Sequence, residues 1–197
     1  MKVIGLTGSI AMGKSEVAKL LRQRGIPVFD ADAAVHELYR DGSAARTLRS
    51  DSGFAAAVRG TGVDRTILSK LVQDQPARLQ RLESLIHPLV HQRRTAFLRE
   101  AQASGARLAV LDIPLLFETG ADREVDAVLL VSAPAALQRR RALLRPGMTE
   151  EKLDLILVRQ MPDAEKRLRA DFIIDNAGDL GDLGREVDRV LAALTAT

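Results

Sequence analysis

Gly8-Ser9-Ile10-Ala11-Met12-Gly13-Lys14-Ser15 stands directly after the apolar run of residues 2–7 and directly before a segment in which Val17, Leu20 and Leu21 recur at helical spacing. The octet has the form GxxxxGK(S/T), set between a strand and a helix. Its glycines let the backbone curl until successive N–H groups point inward at an anion, and the helix behind adds its positive N-terminal end. In such a cradle the Lys14 ammonium reaches the β and γ phosphates of a nucleoside triphosphate, and the Ser15 hydroxyl ligates magnesium. The bland reading is a glycine-rich connector. Against it, only six of the 29 basic residues are lysine, so a lysine at this position is poorly explained by composition. All eight residues, with Glu16 beside them, are candidate nucleotide contacts.

Outward from the loop, short apolar runs at 27–30, 108–113, 127–131 and 172–175 alternate with helical or turn-like sequence. The pattern predicts an α/β fold: a doubly wound parallel sheet of about five strands. Two stretches interrupt it. Residues 33–104 read as a mostly helical insertion without strands, where Ile67, Leu68, Leu71 and Val72, and then Leu79, Leu82, Leu85, Ile86, Leu89 and Val90, keep helical spacing with Gly60 and Gly62 breaking the chain before them. Residues 138–167 read as a helix-turn-helix flap: Arg141 and Arg145 are four apart on one helical face, Pro146 and Gly147 break it, and Thr149, Glu150 and Glu151 begin a capped helix. With no repeats, flexible linkers or low-complexity segments, 1–197 reads as one domain carrying both embellishments.

Composition narrows the function classes. Hydrophobic residues at 46% and charged residues at 28% exclude a disordered chain, and the absence of cysteine excludes disulfides, thiolate nucleophiles and cysteine-ligated zinc. No apolar run approaches the length of a membrane helix. A net charge of +3, from 29 basic and 26 acidic residues interspersed, gives no argument for nucleic acid. The expectation is a soluble, cytoplasmic protein acting on small molecules, without nucleic-acid or membrane partners; oligomeric partners are not legible. His87 and His91 are spaced i, i+4, but Pro88, Leu89 and Val90 lie between them, so the pair lacks the acid of a metalloprotease helix. A guanine-reading NKxD or TKxD sequence is absent, which argues against a GTP-driven switch.

Three groups remain open on local sequence. Asp30 and Asp32 end the second strand, where ligands bind in open α/β sheets; either accepts the proton of an attacking hydroxyl, or one merely caps the helix starting near Ala33. Asp112 closes the run 108–111 in the manner of an acid that holds magnesium directly or through water, yet strands also end in Asp for turn reasons. Arg141 and Arg145 either fold over a triphosphate or form a solvated face, with Arg145 complementing a helix C-terminus.

Taken together, the chain resembles the dephospho-coenzyme A kinase family over nearly its full length. The motifs that carry the resemblance are GLTGSIAMGKS at 5–15, DAD at 30–32, DRxxL at 64–68, HPL at 87–89, PLLFE at 114–118, QxxRxxxR at 138–145 and ADFIIDNxG at 170–178. The resemblance implies transfer of the γ-phosphoryl of ATP, with Mg2+, to the ribose 3′-hydroxyl of dephospho-coenzyme A. It implies Asp32 as general base and a helical insertion that holds the acceptor. Arg141 and Arg145 would belong to the lid, Arg141 taking part in the chemistry, and Asn176 would lie near adenine. Arg65, His87, Pro88, Leu115 and Leu116 fall in the acceptor motifs. Two positions depart from the usual pattern: Ala11 where glycine is common, and Glu16 where threonine is usual, an acid that suits the helix dipole but repels the triphosphate. The competing enzyme reading is a nucleoside monophosphate kinase or another small-metabolite kinase of the same architecture.

Overall fold

The structure, a computed structural model, describes residues 1–196; Thr197, the last residue of the domain expected over 1–197, lies outside the described residues. The chain runs β1 (Lys2–Thr7), α1 (Lys14–Gln23), β2 (Val28–Asp30), α2 (Ala31–Arg40), α3 (Ser43–Arg49), β3 (Val58–Arg59) and β4 (Gly62–Val63). It continues through α4 (Arg65–Val72), α5 (Pro76–Ala103), β5 (Leu108–Asp112) and β6 (Ala127–Ser132). The last elements are α6 (Ala135–Leu143), α7 (Glu150–Val158), α8 (Asp163–Arg169), β7 (Phe172–Asp175) and α9 (Leu180–Ala196).

The five strands expected from sequence form one sheet in the order β2-β5-β1-β6-β7. β1 pairs in parallel with β5 and with β6, and β6 with β7. Every residue of β5 and the last four of β1 are buried, as strands covered on both faces must be. The chain leaves β1 toward β2 on one side of the sheet and later fills β6 and β7 on the other. The carboxyl end of β1 is therefore a switch point, where an open α/β sheet leaves a crevice for ligands.

Packing divides the described chain into two compact units, Met1–Phe29 with the chain from Ala101 onward, and Asp30–Glu100. The first is centred on Ile4, Leu6, Val110, Leu129 and Val131 of the sheet, covered by Val17 and Leu21 of α1 and by Val187 and Val190 of α9. Burying such side chains contributes roughly 1.5–3 kcal/mol each. The second has its own core of Leu38, Leu48, Phe54, Leu68, Leu82 and Ile86 from α2 to α5.

Strands were not expected within 33–104, and here the structure corrects the reading. β3 and β4 form an antiparallel hairpin, Val58 opposite Val63 and Arg59 opposite Gly62. Gly60 turns the chain at φ 55, a conformation open to glycine at no steric cost. Two residues per strand are too few for alternation to register in sequence, and the pair forms because Val58 and Val63 pack on the second core.

Candidate active site

β1 delivers the chain to the loop at the switch point. A Cβ on Gly8 would stand 2.8 Å from the carbonyl oxygen of Val131, so the loop's first glycine lies against the backbone of β6. The turn closes through Met12 N–H donating to Ser9 O at 3.2 Å. α1 then starts from Gly13 at φ 97, with no side chain capping its first turn. Those N–H groups, orphaned within any helix, are the donors an anion takes up.

Asn176, 6% exposed, braces this turn: its Nδ2 donates to Met12 O at 2.9 Å, and its own N–H donates to Ser132 O at 2.8 Å. A Cβ on Gly13 would fall 2.0 Å from that Nδ2. Gly13→Ala is thus expected to combine an unfavourable φ with the loss of the brace, costing about 2 kcal/mol and lowering Tm by roughly 4–8 °C. Thermal melts check this, an unchanged Tm contradicting it. Asn176, placed beside adenine by the resemblance, has its side-chain nitrogen engaged in shaping the loop.

Lys14 forms an ion pair with Asp112, which is 3% exposed at the end of β5. The strand register, Leu6 opposite Asp112, brings the carboxylate alongside the loop. Pairing with a loop cation is a role that neither of the two sequence readings of Asp112, magnesium ligand or turn former, had named. The Ser15 side chain is exposed at the start of α1.

A cavity of about 340 Å³ opens beside the loop, lined by Ala11, Gly13 and Glu16 on the loop side and by Arg141, Arg145 and Asn176. The structure therefore brings together residues that the sequence spreads from Ala11 to Asn176. Helical spacing does not account for the arginine pair. α6 ends at Leu143, and Arg145 lies beyond it in the turn before Thr149, whose hydroxyl caps α7 by accepting from Lys152 N–H at 3.3 Å. Arg141 is anchored by donating to Asn176 O at 2.9 Å, whereas Arg139 of the same basic run is spent on Glu150 and Asp154. Glu16 does line the cavity, and Lys19 stands 3.9 Å from its carboxylate.

Ala11 holds φ 61, a left-handed backbone that costs an alanine roughly 1–2 kcal/mol, which is the physical reason glycine is common there. Its methyl is buried against Ala142 and Leu153, an apolar contact that glycine would lack.

In the second unit, the two aspartates separate. Asp30 caps α2 by accepting from Ala33 N–H at 2.9 Å, while Asp32 is exposed in the first turn with no hydrogen-bond partner among the described residues. Asp64 caps α4 through Thr66 and Ile67, leaving Arg65 exposed with Nη1 3.1 Å from His36 Nδ1. His87 and Pro88 are exposed on α5. In the first unit, Leu115 is 40% exposed but Leu116 is fully buried beside Phe117 and Val128. Leu116 therefore packs the core.

One buried group, Lys166, escaped the motif reading, and it meets Glu118 at the end of the PLLFE motif. Lys166, with no exposed surface, lies 2.9 Å from Glu118, which also accepts from Met161 N–H at 2.8 Å. Burial alone would raise the Glu118 carboxyl, but the Lys166 and Met161 hydrogen bonds outweigh it and hold its pKa below the usual glutamate value. Because the folded pKa is depressed, its stabilisation is complete above the unfolded value of about 4.3 and is lost as pH falls through the folded one. Glu118→Ala is expected to cost about 2 kcal/mol by stranding an ammonium and an N–H, and to show a weaker fall of Tm on acidification than the parent in thermal melts run across pH. Equal pH profiles would contradict this.

The chain matches the dephospho-CoA kinase family model over residues 2–182. It is 51% identical to a dephospho-CoA kinase of Brucella melitensis across 99% of this chain and 96% of the other. Among solved structures, a Thermus thermophilus protein superposes with TM-score 0.80 at 40% identity, over 98% of this chain and 97% of that one. A dephospho-CoA kinase from Campylobacter jejuni does so with TM-score 0.74 at 25% identity, over the same shares of 98% and 97%. With a phosphate loop, a charge pair and an arginine-lined cavity assembled on this fold, the chain belongs to the dephospho-CoA kinase family.

Proposed function

We infer that the protein transfers the γ-phosphoryl group of ATP to the ribose 3′-hydroxyl of dephospho-coenzyme A, giving coenzyme A and ADP in the last step of coenzyme A synthesis. The observation that carries the reading is the loop 8–15 at the carboxyl end of β1, with Lys14 paired to a buried carboxylate and no side-chain hydrogen bond capping its helix N-terminus. Loop amides and Lys14 grip the β and γ phosphates, and Arg141 and Arg145 offset charge that spreads over the transferring group. Asp32 receives the proton of the acceptor hydroxyl as its oxygen bonds to the γ-phosphorus and the bond to the β-phosphate oxygen breaks. Asp30, held in its cap, is not the base. The exposed Arg65, His87, Pro88 and Leu115 are the side chains we assign to the acceptor, and the segment 33–104 to holding it.

Ser15 and Asp112 would hold Mg2+. One hydroxyl and one carboxylate suit an ion that keeps waters and takes its other ligands from phosphates, and no cluster of three or more His, Cys, Asp or Glu competes among the described residues. When bound, the ion neutralises charge on the β and γ oxygens. We place the enzyme in the cytoplasm, where its substrates occur; no described helix is long and apolar enough to cross a membrane.

The test is an acceptor screen with ADP release as readout. Dephospho-coenzyme A is expected to stimulate ADP release from Mg-ATP and nucleoside monophosphates are not; the reverse result overturns the assignment.

A further inference from the structure

Ile10 sits in the phosphate loop, yet both of its backbone groups are committed to side chains outside it. Its N–H donates to Gln160 Oε1 at 3.1 Å, and its C=O accepts from Gln138 Nε2 at 2.9 Å. Gln138 lies on α6 and is 7% exposed; Gln160 follows the end of α7. Ile10 and Ala11 also pack with Ala142, Leu143, Met148, Leu153 and Leu157 of the same α6–α7 region. The loop tip is therefore clasped from two sides by the segment that carries Arg141 and Arg145.

Gln160 is itself held in place. The N–H of its neighbour Met161 donates to Glu118, and Glu118 pairs with the fully buried Lys166. A continuous set of contacts runs from the end of the PLLFE motif through residue 161 to the backbone of residue 10.

We propose that Gln138 and Gln160 are positioning residues that set the curl of the phosphate loop by clasping Ile10 with hydrogen bonds of opposite polarity. This rests on the kinase reading above and adds residues that touch no substrate. An amide side chain offers both a donor and an acceptor; Gln138 uses its nitrogen and Gln160 its oxygen. Because the clasp shapes only the nucleotide cradle, its loss weakens nucleotide binding and leaves the acceptor's KM unchanged.

The opposite polarity makes the test specific. Mg-ATP binding is measured by calorimetry for Gln138→Ala, Gln160→Ala, Gln138→Glu and Gln160→Glu, with the KM of dephospho-coenzyme A alongside. Each alanine variant is expected to raise the nucleotide Kd about five- to tenfold, the scale of one lost hydrogen bond. The glutamates preserve volume and add the same charge, so their difference isolates polarity. Gln160→Glu still accepts from Ile10 N–H and is expected within about threefold of the parent, whereas Gln138→Glu sets a carboxylate oxygen against the Ile10 carbonyl and is expected to bind at least about tenfold more weakly than the parent. Alike binding by the two glutamate variants, parental binding by the alanine variants, or equal rises in both substrates' constants overturns the clasp while leaving the kinase reading intact. If the parent itself binds no Mg-ATP, the kinase reading fails, and with it this inference.

Discussion

Replacing Lys14 with alanine is expected to cut turnover of Mg-ATP and dephospho-coenzyme A by about a thousandfold, the scale on which a single preorganised charge stabilises a transition state. The ammonium is the one loop charge placed to follow electron density as it builds between the β and γ phosphates. A second consequence is thermal. Asp112 is 3% exposed, and without Lys14 it loses its charge partner, so Tm is also expected to fall by several degrees. Pairing Lys14→Ala with Asp112→Asn separates the effects: the double variant is expected to regain stability but not activity. ADP release and thermal melts on the three variants are the measurements, and turnover within tenfold of the parent in Lys14→Ala would remove the loop from the chemistry.

Asp32→Asn carries the next largest expected effect, a fall in kcat of about a hundredfold or more, with Mg-ATP affinity unchanged, because a general base contributes roughly 10²–10⁴ in rate. The substitution is nearly isosteric and the side chain is exposed without a structural partner among the described residues, so stability should hold. Asp30→Ala is the matched control with the opposite signature. It loses the Ala33 cap and about 1 kcal/mol of stability, and its turnover should fall far less. Comparable kcat for Asp32→Asn and the parent would leave proton removal to water or to another group.

Much of the sheet was legible because buried parallel strands are short, continuous apolar runs: the predicted 2–7 and 172–175 coincide with β1 and β7, and the other three differ by one residue at an end. The β3–β4 hairpin was not, since two-residue strands carry no period and owe their pairing to the second core. The arginine pair was read through the wrong cause. Arg141 and Arg145 share the cavity, but a turn rather than a continuing helix places Arg145 there.

Sequence by itself determined the phosphate loop, because curling a backbone around an anion demands glycine at set positions and an ammonium at another, and those demands are written locally. It also determined the strand–helix alternation that supports the loop. Only tertiary structure decided which of Asp30 and Asp32 is consumed as a cap, that Asp112 meets Lys14, that Leu116 belongs to the core, and that two glutamines, 128 and 150 positions away, clasp Ile10. These depend on strand register and on which hydrogen-bond partner is nearest once the chain has packed, quantities that no local pattern of residue types encodes.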